Sequence, residues 1–99
     1  MKTTIDFEEK GGLLRCRFSG NLDTTFCMGQ GEEIRRRACE AAGLVIFDMK
    51  GAVAVCSMFL GMCVLLHRDL GERFSIEGCG DDLYATFRAV RLDRILNIS

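Results

Sequence analysis

GLVIFDMKG, residues 43–51, is the stretch on which the fold turns. Leu44-Val45-Ile46-Phe47 is a continuous apolar run, β-branched in its middle and bounded by Gly43 and Asp48. It is too short for a helix. A run without polar alternation predicts a central strand buried on both faces. Such a strand needs sheet neighbours and a helical layer, and the flanking sequence must supply both.

Upstream, Thr3–Glu9 and Leu13–Ser19 flank Lys10-Gly11-Gly12, which reads as a hairpin with glycines free to take positive φ. In the second run Leu14, Cys16 and Phe18 alternate with Arg15, Arg17 and Ser19, so one face is buried and the other wet. Gly20 ends it. Asp23 or Thr24 then caps a helix whose buried face is Cys27, Gly31, Ile34, Ala38 and Ala41. Gly43 stands where a left-handed residue would close that helix. Glu32–Arg36 and Glu33–Arg37 are i,i+4 pairs, so this charged run reads as a solvated helix face and not as a phosphate-binding patch.

Downstream, a helix is expected over Ser57–Asp69 and a strand over Arg73–Glu77. Asp81 and Asp82 open a last helix with a Leu83, Phe87, Val90 stripe. Ile95, Leu96 and Ile98 form either a final strand or a packed terminus. The order β-β-α-β-α-β-α is that of an α/β sandwich: one mixed β-sheet with an N-terminal hairpin and helices on one face. Residues 1–99 read as a single domain.

A net charge of −1 offers no global attraction to nucleic acid or anionic lipid. The longest apolar run, residues 52–66, is shorter than the roughly 20 residues a spanning helix needs and carries Ser57 and Gly61, so no membrane insertion is expected. MKTTIDFEEK has no apolar signal core, which predicts a cytoplasmic protein. The six cysteines form no CxxC pair and have one histidine for company. They read as small buried hydrophobes, not as metal ligands or disulfide partners. No cofactor or metal site is expected.

FSGNLD at 18–23, GLVIFDMKG at 43–51, LGMCVLL at 60–66 and RLDRILNI at 91–98 together resemble a STAS domain of the anti-sigma factor antagonist type. The resemblance spans nearly the whole chain. It implies a non-catalytic bacterial domain in signal transduction and transcription regulation, working by partner switching. Antagonists of this type bind an ATP-dependent, kinase-like anti-sigma factor. Phosphorylation of a Ser or Thr at the start of the helix after the central strand breaks that complex.

The family pattern at that helix is Asp-Ser-Ser/Thr-Gly, followed by Leu-Gly and an aliphatic run. Counted from Asp48, Cys56 replaces its Asp, Ser57 matches the first hydroxyl, Met58 occupies the usual phosphoacceptor and Phe59 the glycine. Leu60 and Gly61 match again. Ser57 reads first as the helix N-cap, and it is also the one candidate phosphoacceptor, since a one-residue shift would align it. Met58, Phe59 and Met62 are expected either as an exposed patch or as covered side chains.

The implied partner-binding surface comprises the 50–58 loop with Lys50, the start of the helix with Ser57, Met58, Phe59 and Met62, and Asn21 with Asp23. The partner implied is an anti-sigma factor kinase, and the chain also resembles accessory subunits bound to a membrane-transport ATPase. A homodimer is left open. A reading from another class is a thiol enzyme or small-ligand sensor using Cys56 or Cys63. His67, beside Arg68, reads as a helix-end cation and not as a catalytic base.

Overall fold

The computed structural model describes residues 2–99. The hairpin forms as the glycines suggest: β1 (Thr4–Lys10) and β2 (Leu13–Leu22) are antiparallel around Gly11 and Gly12, at φ 59° and 85°. Helix α1 (Thr24–Glu40) leads to β3 (Val45–Val55), and α2 (Ser57–Leu70) leads through a 3-10 turn to β4 (Phe74–Glu77). Helix α3 (Asp81–Ala89) and a second 3-10 turn complete the chain. The sheet order is β1-β2-β3-β4, with β2, β3 and β4 mutually parallel. This is the expected mixed sheet.

Helices fill one face. Leu14, Cys16, Phe18, Val45, Phe47, Met49, Phe74 and Ile76 meet Ile34, Phe59, Leu66, Leu83 and Phe87 in one buried core. Phe18, Phe47 and Phe74 form an edge-to-face series across β2, β3 and β4, with ring centroids 4.9 Å apart at each step. Such pairs add to the area they bury.

The other face is wet, and this corrects the expectation that β3 is buried on both sides. Strand register sets Asp6, Arg17, Asp48 and Glu77 in one row and Glu8, Arg15, Ile46 and Ser75 in the next. Arg15 hydrogen-bonds Glu77 across β3 and lies 3.6 Å from Asp48, while Arg17 pairs with Glu8 at 3.2 Å. Ile46 is the apolar exception, covered among these charged neighbours, and Leu44 lies exposed before the strand. A short apolar run fits a one-sided strand when long side chains shield its single outward aliphatic residue.

Residues 50–55 are strand and not loop. β2 runs on to Leu22 and supplies partners for Gly51, Ala52, Ala54 and Val55, with a register irregularity beside Gly20. Neighbouring backbone keeps these small residues extended despite weak β-propensity.

Three local expectations are also corrected. Gly43 is not a left-handed cap: α1 ends at Glu40 with Ala41 as its extended C-cap, and Gly43 donates to the Gly12 carbonyl at 3.0 Å. A Cβ on Gly43 would stand 2.6 Å from that oxygen, so the residue is small because the hairpin turn approaches it. Arg36 pairs with Glu33 and Glu40, not Glu32, and Arg37 leaves Glu33 for Glu9 on β1, its guanidinium 4.1 Å from the Phe7 ring centroid. Val90 caps α3 and is exposed, because the helix stops at Ala89. Of the two readings of the tail the packed one holds: Leu96 is buried, Ile95 is exposed, and Ile98 makes a single isolated parallel bridge with Ile76 at the β4 edge, with no further strand among the described residues.

Candidate functional site

Two parallel strands end side by side and each turns directly into a helix. Leu22 and Val55 are register partners, the Cys56 amide donates to the Leu22 carbonyl at 3.2 Å, and α1 and α2 start one or two residues later. Both helix N-termini therefore open at the same end of the sheet, where orphan amides and the positive dipole ends gather.

Asp23 caps α1, its carboxylate accepting from the Phe26 amide at 2.9 Å. At α2 the N-cap is Cys56, not Ser57. Ser57 is the first helical residue and is exposed. The change follows from the strand: β3 continues to Val55, leaving Cys56 with the extended φ of −109° and ψ of 172° that a cap requires. Burial pushes the Cys56 thiol up, but the Phe59 and Met58 amides and the Cys27 and Thr24 side chains outweigh it, and its pKa is lowered.

The two cysteines meet. Cys27 lies one turn into α1, and its Sγ is 3.7 Å from Cys56 Sγ. Burial, followed by the contact with Cys56, pushes the Cys27 thiol up to about 12. Cys63, the other thiol the sequence singles out, is completely buried and raised well above the usual range by that burial. It has no access to a substrate.

The apolar patch is redistributed. Met58 is 47% exposed, but Phe59 is fully buried, 5.2 Å edge-on from Phe18, and Met62 is 9% exposed. Helical geometry separates these neighbours: the third residue of α2 turns toward the sheet when the second faces solvent. The exposed partners of Met58 come instead from elsewhere, Met28 on α1 and Val64 on α2. With Gly31, Gly61 and Leu65 they line an open groove of about 720 Å³ between the two helices. No Cβ fills it at either glycine.

Asn21 and Lys50 are exposed at the surface, as is Asp23. Lys50 lies on β3, where its amide donates to Asp48 Oδ1 at 3.0 Å. Sequence reasoning placed Cys56, Met58 and Asp23 at this end of the molecule and missed Cys27, Met28 and Val64. The signal was present, because parallel pairing of the strands before α1 and α2 brings the two helix starts together. A more polar hollow, lined by Lys10, Arg37 and Glu40, lies at the opposite end of β2. His67 is half-buried near the end of α2, and its Nδ1 has no hydrogen-bond partner. Among the described residues no three His, Cys, Asp or Glu side chains gather as metal ligands, and no helix is long and apolar enough to cross a membrane.

No family model matches the chain, and no curated protein does. Solved structures do. An anti-sigma factor antagonist from Mycobacterium paratuberculosis superposes with a TM-score of 0.85 at 16% identity, over 98% of this chain and 85% of that one. The anti-sigma factor antagonist SpoIIAA in its unphosphorylated form gives 0.80 at 14% identity, over 97% and 86%. The Bacillus cell fate determinant SpoIIAA in its phosphorylated form gives 0.73 at 14% identity, over 97% and 89%. The wet sheet face, the helical layer and the paired helix starts are thus those of the STAS fold, which this chain shares with the anti-sigma factor antagonists.

Proposed function

We propose that the chain is a non-catalytic regulatory domain that docks a protein partner at the end of the sheet where α1 and α2 begin. The observation that carries this reading is Met58, exposed at the second position of α2 beside an apolar groove. A methionine there adapts its shape to a partner surface and accepts no phosphate. Asn21, Asp23 and Ser57 supply polar groups at the same end of the sheet, exposed Met28 extends the apolar centre, and Lys50 lies outside the site, back along β3 beside Asp48 and Arg17. Phe59 and Met62 support the site from beneath.

Likeness to the antagonists makes an anti-sigma factor kinase the first partner class, in a bacterial cytoplasmic setting. Met58 in the acceptor position favours a contact that is not broken by phosphorylation. That also suits an accessory subunit held on a membrane-transport ATPase, the second partner class. Ser57 is exposed at the first position of α2, where a phosphate would lie against free amides. Within the 50–58 segment it is the one hydroxyl through which such a contact could be switched.

Pull-down from the source cells with the wild-type chain and with Met58→Asp tests the reading. One protein, an anti-sigma kinase or a transporter ATPase, should be retained by the wild type and lost with the variant. Identical proteins retained by both would overturn it. Intact-mass analysis of the chain from the same cells should show no phosphate, and a stoichiometric phosphate on Ser57 would overturn the constitutive contact.

A further inference from the structure

We propose that Cys27 and Cys56 form a two-thiol redox site, in which Cys56 is oxidised by a hydroperoxide and Cys27 resolves the product to an intramolecular disulfide. The Sγ atoms are 3.7 Å apart, and no other thiol–thiol hydrogen bond is present among the described residues. Bonding requires them to close to about 2.05 Å, a movement of less than 2 Å at the first turns of two helices. Cys27 also lines the groove beside Met58, so the thiol pair is open to a small oxidant in the chain free of a partner.

The two thiols are unequal in the way the chemistry needs. Cys56 sits half-buried at the N-cap of α2 beside exposed Ser57 and Met58, so a small peroxide can reach it. Helix N-terminal amides stabilise a thiolate, and the Cys56 pKa is lowered in keeping with this. Cys27 is 6% exposed beneath it and is held as the neutral thiol. One group is presented to the oxidant and the other is shielded until its neighbour has reacted. Cys39, by contrast, is exposed with no thiol partner.

In the first step the Cys56 thiolate attacks one oxygen of the hydroperoxide. The O–O bond breaks, leaving a sulfenic acid and, after protonation, an alcohol or water. In the second, Cys27 sulfur attacks Cys56 sulfur, the S–O bond breaks, and water leaves with the Cys27 proton. Two electrons pass from the thiol pair to the peroxide, and the products are one disulfide, one water and one alcohol or second water. Two equivalents of a low-molecular-weight thiol reduce the disulfide by exchange, restoring both cysteines as thiols and leaving the reagent as its own disulfide.

The fully reduced chain, treated with hydrogen peroxide at neutral pH and mapped without reduction, tests the site. The expected product is a Cys27–Cys56 linked peptide from a monomer two hydrogens lighter, formed at least about tenfold faster than any modification of exposed Cys39. Cys27→Ala should then stop at a Cys56 sulfenic acid that dimedone traps. Faster oxidation of Cys39, or Cys56 oxidised in the wild type without linkage to Cys27, would overturn the proposal. The wild-type comparison decides the matter even if the variant fails to fold.

Discussion

The Phe59 ring meets Phe18 edge-on, with centroids 5.2 Å apart and planes at 89°. This contact anchors the start of α2 to the central sheet, one residue after Met58 faces solvent. Phe59→Ala removes a fully buried ring and should cost about 3–5 kcal/mol, the range for aromatic truncation in a close-packed core. Met58→Ala leaves the core untouched and should change stability by no more than about 0.5 kcal/mol. Urea unfolding of the two variants separates an anchor from a surface; comparable losses would place Met58 in the core.

Gly43 and Gly29 should respond in opposite directions to the same substitution. At Gly43 an added Cβ meets the Gly12 carbonyl oxygen at 2.6 Å, and both partners are backbone, so the loop must move. Gly43→Ala should destabilise by about 1–3 kcal/mol. Gly29 lies inside α1, exposed, with open space at its Cβ position. Gly29→Ala should stabilise by about 0.5–1 kcal/mol through helix propensity. Thermal unfolding of both variants reads the two signs directly.

Arg73 explains how the chain leaving α1 is held. Its Nη1 donates to the Ala41 carbonyl at 3.1 Å and the Gly43 carbonyl at 3.0 Å. Arg73→Ala strands two partly buried acceptors and should cost about 1–3 kcal/mol, with Arg73→Lys losing less because an ammonium can still reach one of them. Equal losses in the two variants would show that neither the stem nor an ammonium substitutes for the guanidinium at these two carbonyls.

Most of the architecture was legible because periodicity and turn residues are local. Alternation in β2, the glycine pair and the Asp23 cap each predict their element without knowledge of the rest. What escaped was set by tertiary contact. Gly43 looked like a helix terminator because its true neighbour, Gly12, is 31 positions away. Arg37 was paired within its helix, yet β1 offers both Glu9 and the Phe7 ring. At the site, composition marked the start of α2 as unusual, but the face of each residue depended on where β3 stops. Extending β3 to Val55 moved the cap from Ser57 to Cys56 and sent Phe59 inward. The Cys27–Cys56 contact follows only once β2 and β3 are known to be parallel neighbours.

The buried thiols make alkaline pH the weak side of this fold. Burial pushes Cys16 up to about 12 from an ordinary 9.0, and Cys79 up to about 11. Cys27 is raised to about 12, and Cys63 also lies well above its ordinary value. A thiol whose folded pKa is raised contributes its full stability below the unfolded pKa, and that contribution is lost as pH rises toward the folded value, because only the unfolded chain ionises there. Cys56 has the opposite sign: its pKa is lowered, so its contribution is present above the ordinary thiol value and is lost as pH falls through the lowered one. Four raised thiols outweigh one lowered thiol, so the urea midpoint of the reduced chain should fall steadily from about pH 9 upward. Cys16→Val keeps the apolar volume and removes one ionising group. Its midpoint should fall less steeply over the same range, and an unchanged slope would mean that Cys16 ionises as readily in the folded chain as in the unfolded one.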